Sequence, residues 1–195
     1  SYRDDRMLIG FLPGSRGVEV RNLLPVMEKA ASGLRAMGWR PVFSIAPGLH
    51  EREKMKMTER LQAGNFDVYT GQGRDLLAAS CCSVAASGTV AVEAMMLGSY
   101  MVAAYRLSPL SAFLARRLVK TPYYTIPNIL LDMELFPELM QEEATEENIL
   151  KEVLKWLNGD DKTKKYISQK MDLAREMLGE TGVYELWARR IMGAA

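Results

Sequence analysis

From residue 7 to residue 126 this chain alternates short apolar segments, rich in β-formers, with stretches of helical periodicity. That alternation restricts the fold more than any other feature. The strand-like segments fall at residues 7–12, 41–46, 66–69, 83–86, 100–105 and 123–126, with helical patterns at 22–37, 51–63, 74–79, 89–97 and 111–119. Parallel neighbours need a crossover of a dozen or so residues, and a helix supplies it. The pattern therefore predicts an α/β, Rossmann-like, doubly wound parallel sheet. After Thr145 the strands stop. Thr145 is placed to cap a helix reaching residue 157, a second spans 162–178, and Thr181 opens a third that runs to 192. The expected division is a Rossmann-like domain over 1–144 and a helical segment over 145–195, packing on it and toward a partner domain or subunit.

Composition narrows the function classes. The 195 residues are 48% hydrophobic and 25% charged, with a net charge of +1 that gives no nucleic-acid footprint. No apolar run approaches the ~18 residues of a membrane span. Cys81 and Cys82 are adjacent and are the only cysteines, and His50 is the only histidine, so neither a disulfide framework nor a Cys/His zinc site assembles. Free buried thiols fit a reducing cytoplasm. Histidine-based nucleophilic triads are excluded unless His50 serves, and its loop context reads as surface. The thirteen methionines fall at apolar helical positions and read as core filling. The polar opening, residues 1–6, runs straight into a strand and reads as a chain cut at a domain boundary.

In doubly wound sheets ligands bind beyond the carboxyl ends of the strands. Three such loops carry chemistry here. The first, LPGSRGVE at 12–19, has Gly14 and Gly17 for close backbone approach, Ser15, and Arg16 as a cation for phosphate. The second, TGQGR at 70–74, offers backbone at Gly73 to a base. The third is Ser87-Gly88-Thr89, a turn of small residues opening a helix, where free N–H groups and the positive dipole end attract an anion. Glu93 lies four residues after Thr89, on the same helical face. Its neighbours Val90, Ala91, Val92, Ala94, Met95, Met96 and Leu97 predict a helix buried on most sides, so the carboxylate needs a partner. A phosphate at the turn with a sugar diol over Glu93 satisfies both groups and points to a nucleotide. Capping-box spacing does not fit Glu93; a buried salt bridge to a distant Arg stays open. The P-loop signature is missing, and P-G-S-R-G after the first strand, with no acid ending the second, speaks against NAD.

Together these loops resemble the nucleotide-binding C-terminal half of lipid-A-disaccharide synthases. The resemblance rests on LPGSRGVEV (12–20) with LLP (23–25), ASGTVAVE (86–93), Tyr105-Arg106, LARRLVKTPYYTIPNIL (114–130) and PELMQEEAT (137–145). It implies the C-terminal domain of a GT-B glycosyltransferase that joins UDP-2,3-diacylglucosamine to 2,3-diacylglucosamine-1-phosphate, releasing UDP. It implies no metal and no cofactor. By matching position, Arg16 meets the diphosphate, Gly14, Ser15 and Gly73 line the site, and Ser87, Gly88 and Thr89 cradle phosphate. Glu93 holds the ribose hydroxyls, and Asn128, Glu138 and Gln141 contact the donor or shape the cleft. The implied partners are UDP or the UDP-sugar, an N-terminal acceptor domain carrying the catalytic base, and a second copy through C-terminal exchange. Nucleic acid is not among them.

The implied location is cytoplasmic, with peripheral contact at the inner membrane. Residues 110–120 are basic and amphipathic, read first as a solvated face over a core stripe and second as a lipid contact. Val183, Trp187 and Ile191 form an apolar stripe beside Tyr184, suited to another domain or subunit. Two alternatives stand beside the transferase: a UDP-sugar 2-epimerase relative, and a non-catalytic nucleotide-binding subunit of a split transferase.

Overall fold

The computed structural model describes residues 8–106 and 122–179. Six parallel strands form one sheet: β1 (Leu8–Leu12), β2 (Arg40–Ser44), β3 (Asp67–Tyr69), β4 (Cys82–Ala86), β5 (Met101–Tyr105) and β6 (Glu138–Met140). Their spatial order is β3-β2-β1-β4-β5-β6, the doubly wound arrangement that the alternation predicts. The helices are α1 (Gly17–Ala36), α2 (Glu51–Ala63), α3 (Gly73–Ala79), α4 (Thr89–Leu97), α5 (Ile126–Leu131), α6 (Glu146–Leu157) and α7 (Asp161–Met177). The expected helices at 111–119 and 181–192 lie outside the described residues.

Burial on both faces explains why the central strands read as unbroken apolar runs. All of β4 is buried, as are four residues of β5, and both strands are built from small side chains: Ala85, Ala86, Ala103 and Ala104. On the β2 side, Phe11 stacks on Phe43 at 4.9 Å, and Phe66 closes edge-on at 5.1 Å. The helix α1 starts five residues earlier than its pattern suggested, because its buried face runs unbroken from Val20 through Leu34. That face carries the helix past Pro25, which cannot donate the usual bond to the Arg21 carbonyl.

One expected strand is corrected. Residues 123–126 form no strand, although Tyr, Thr and Ile favour one. Thr125 caps α5 with Pro127 in its first turn, and the N–H groups of Tyr124 and Thr125 donate to the Glu138 carboxylate at 2.9 and 2.7 Å. The sixth strand is β6, three residues long, pairing Ala103 with Glu138.

The last two described helices pack against the sheet domain from different directions. α6, capped by Thr145 Oγ1 accepting from Asn148 N at 3.2 Å, lies on α1 and reaches β4. Its Trp156 stacks on Tyr100 at 3.8 Å, nearly coplanar, and donates from Nε1 to the Cys81 carbonyl at 3.1 Å. α7, capped by Asp160, packs on α4 and α5. The bond from Thr163 holds the Asp160 carboxyl below its ordinary range. His50 is exposed and caps α2, its Nδ1 accepting from Arg52 N at 3.3 Å.

The thiols provide a check on the central sheet. Cys82 is fully buried, and burial pushes its thiol far above the ordinary cysteine range, whereas Cys81 is half-buried. In native protein a thiol-reactive aromatic disulfide should modify Cys82 only in step with unfolding by denaturant. Two rapidly reacting thiols per chain would contradict a buried β4.

Candidate functional site

The sheet reverses its winding between β1 and β4, which pair with Leu12 beside Ala85. Chains leaving their carboxyl ends diverge into α1 and α4, and a cleft of about 400 Å³ opens between them. Leu12, Gly14, Ser15, Arg16 and Glu19 line it from the β1–α1 side, and Ser44, Ala46 and Pro47 from the end of β2. Gln72 and Gly73 enter from the start of α3, and Ala86 through Val90 with Glu93 close the α4 side. Gly14, Ser15, Arg16, Gly73, Ser87, Gly88, Thr89 and Glu93, singled out in the sequence, thus meet in one place.

The α4 wall is the anion-competent one. Gly88 caps the helix in extended conformation, and a Cβ there would meet no atom within 4 Å, so the backbone is open to the cleft. The first turn holds no acidic residue, and among the described residues no acceptor pairs with the N–H of Thr89 or Val90. At its other end α4 closes on Gly98 in the left-handed region, and Arg175 Nε donates to the Met95 carbonyl at 2.9 Å.

Glu93 is exposed, not buried as its apolar neighbours suggested. α4 turns Ala91, Ala94 and Met95 inward and leaves Met96 and Leu97 about half exposed, so an all-round apolar sequence sits on a one-sided helix. The buried salt bridge therefore falls away. Glu93 faces the cleft one turn beyond Thr89, and among the described residues no Lys or Arg pairs with it.

The α1 wall differs. Glu19 folds back over the first turn: its Oε2 accepts from Ser15 N at 3.1 Å and Arg16 N at 3.3 Å, and its Oε1 meets Arg16 Nη1 at 3.0 Å. Gly14, at φ +120, makes room; a Cβ there would lie 2.5 Å from Glu19 Oε2 and 3.4 Å from Ala86 Cβ. The Glu19 side chain is 12% exposed, while that of Arg16 is 79% exposed and reaches into solvent at the rim. Of the α1 and α4 N-termini at the cleft, one carries its own anion and the other is open. Sequence reading gave Glu19 no role, although its place three residues after Arg16 is the capping-box spacing. Ser44 and Gln72 also went without a role; only their positions at strand and helix ends mark them.

Asn128, Glu138 and Gln141 are not among the residues lining this cleft. Asn128 is fully buried and satisfied: Oδ1 accepts from Leu135 N and Phe136 N, both at 2.9 Å, and Nδ2 donates to Phe136 O at 2.7 Å and Glu138 Oε1 at 2.9 Å. Glu138 gathers that amide and two backbone N–H groups, and borders a separate hollow with Glu134 and Lys151. Gln141 takes a positive φ of 54°, and its carbonyl accepts from Arg106 Nε at 3.3 Å.

The sequence profile of the lipid-A-disaccharide synthetase family matches residues 2–187. The chain belongs to that family. Curated relatives named lipid-A-disaccharide synthase include those of Azotobacter vinelandii, 37% identical over 148 residues, and Aeromonas hydrophila, 37% identical over 160. The matches cover 74% and 80% of this chain but 39% and 42% of the relatives, so the chain spans about two fifths of their length.

Solved structures share the fold of this family member. The catalytic domain of a cholesterol-α-glucosyltransferase from Helicobacter pylori superposes with a TM-score of 0.55 at 16% identity, covering 87% of this chain and 99% of that one. A UDP-GlcNAc 2-epimerase from Neisseria meningitidis, bound to UDP-GlcNAc, gives 0.51 at 13% identity, covering 90% of this chain and 44% of that one.

The Asn128 cluster predicts a stability phenotype. Asn128→Ala orphans two buried N–H groups and one bond to Glu138, and should cost about 2–4 kcal/mol in urea unfolding. A cost below about 0.5 kcal/mol would show that these bonds are readily replaced.

Proposed function

We propose that this chain is the UDP-sugar-binding half of a glycosyltransferase that joins UDP-2,3-diacylglucosamine to 2,3-diacylglucosamine-1-phosphate. The observation that carries the reading is the open N-terminus of α4 facing the same cleft as Glu93 and Arg16. The diphosphate sits on the Ser87–Gly88–Thr89 turn, where aligned N–H groups and the helix dipole meet negative charge. The ribose hydroxyls donate to the Glu93 carboxylate one turn along, and the base reaches toward Gln72 and Gly73. Arg16, exposed and long, swings from Glu19 onto the diphosphate.

In the reaction the acceptor hydroxyl oxygen bonds to the donor's anomeric carbon as the bond from that carbon to the diphosphate breaks. The electron pair stays on the diphosphate, and the acceptor proton passes to a base. Backbone dipoles and Arg16 stabilise the charge gathering on the leaving UDP. The acceptor site and the base lie in the part of a relative-length protein that this chain does not span. Asn128 and Glu138 hold the Tyr124–Thr125 backbone against β6, and Gln141 ties the end of β6 to Arg106. The acyl chains of both substrates place the work at the cytoplasmic face of a membrane; among the described residues no helix is long and apolar enough to cross one. The epimerase reading draws on the shared fold and the carboxylate on the helix after the Ser-Gly-Thr turn, and the family match over 114–141 speaks against it.

Calorimetric titration with UDP in excess chelator should show binding, and Glu93→Ala should weaken it by about 1.5–3 kcal/mol, the range for hydrogen bonds to a charged group. The same substitution should leave the binding of 2′,3′-dideoxy-UDP almost unchanged. Equal affinity for UDP, ADP and inorganic phosphate would overturn the proposal.

A further inference from the structure

A carboxylate is an odd lining for a cleft that receives a diphosphate. Glu19 is held there by three contacts, to Ser15 N, Arg16 N and the Arg16 guanidinium. Its oxygen and the last residue of β4 press on the same point beside Gly14, so its charge stands next to the strand that leads into the Ser87–Thr89 turn. Capping alone does not require this charge, since a neutral side-chain oxygen satisfies the same two N–H groups.

Two electrostatic effects follow. Glu19 repels any anion in the cleft, and it neutralises Arg16, the nearest cation on the β1–α1 side. Both effects grow with the charge of the ligand. UDP, once released from the sugar, carries about one negative charge more than the UDP-sugar at neutral pH, because its terminal phosphate has gained an ionisable oxygen.

We infer that Glu19 is a specificity-determining residue that disfavours the product UDP relative to the UDP-sugar donor, and so limits product inhibition. This inference rests on the proposed UDP-sugar site. Close to the sheet the interaction is only partly screened by solvent, and one additional charge at this range corresponds to about a five- to tenfold difference in affinity.

The test is Glu19→Gln, which keeps an oxygen acceptor for Ser15 and Arg16 and removes the charge. UDP and UDP-N-acetylglucosamine are titrated into the parent and the variant at about pH 7.5 in low salt, with thermal melting as the control for folding. UDP should bind the variant more tightly, and the ratio of UDP to UDP-sugar affinity should rise about five- to tenfold. High salt should reduce that gain. A ratio unchanged within twofold, or weaker UDP binding by a folded variant, overturns the inference while leaving the site intact. If the parent binds neither ligand, the proposed site itself fails. If Glu19→Gln does not fold, Glu19→Asp draws the charge back by one methylene and should shift the ratio in the same direction; no shift in that variant likewise overturns the inference.

Discussion

The pairing of β1 with β4 at the middle of the sheet fixes where everything in the cleft can stand. Because these neighbours are not consecutive, the chain leaves their carboxyl ends toward different helices, and a gap opens that no connection crosses. Parallel pairing sends both ends to the same edge, and β2 delivers Ser44 to that edge as well. A ligand site here is a by-product of winding order, and the side chains decide only what it will accept.

What it accepts depends on an asymmetry between two helix ends. α1 and α4 both point their N-termini at the gap, and each carries partial positive charge there. Glu19 consumes the field of one, while the Ser87–Gly88–Thr89 turn leaves the other free. Arg175, Gly98 and Ser99 meet the Ala94 and Met95 carbonyls at the far end of α4, whereas its first N–H groups face the cleft. The helix that bears Glu93 is therefore also the helix whose dipole is left to act on the ligand.

Strands β1, β2, β4 and β5 were readable because burial leaves uninterrupted apolar runs between polar turns. β6 was not, since three residues after a proline carry no periodicity, whereas 123–126 has strand composition that flanking prolines and the Glu138 carboxylate override. The cleft residues were legible through their placement at strand ends. Glu93 was located correctly but given the wrong surroundings: in α4 the exposed face is itself apolar, so composition hid which side met water. Asn128 and Glu138 stood out as motif members, yet apart from each other their partners are backbone groups, which no sequence pattern names.

The alanine-built strands beneath the cleft also bear on how this scaffold can diversify. Ala85, Ala86, Ala103 and Ala104 are buried in the two strands on which α4 rests. Successive strand residues point to opposite faces of the sheet, so one alanine of each pair lies under α4, and a larger side chain there would lift the helix and carry the Ser87–Thr89 turn away from its station. Drift at these positions is thus confined to residues of similar bulk, and the floor becomes a heritable constant. Inventiveness in choosing a new sugar or base is left to the rim, where Pro47 and Gln72 sit on loops that can lengthen or change without disturbing the sheet.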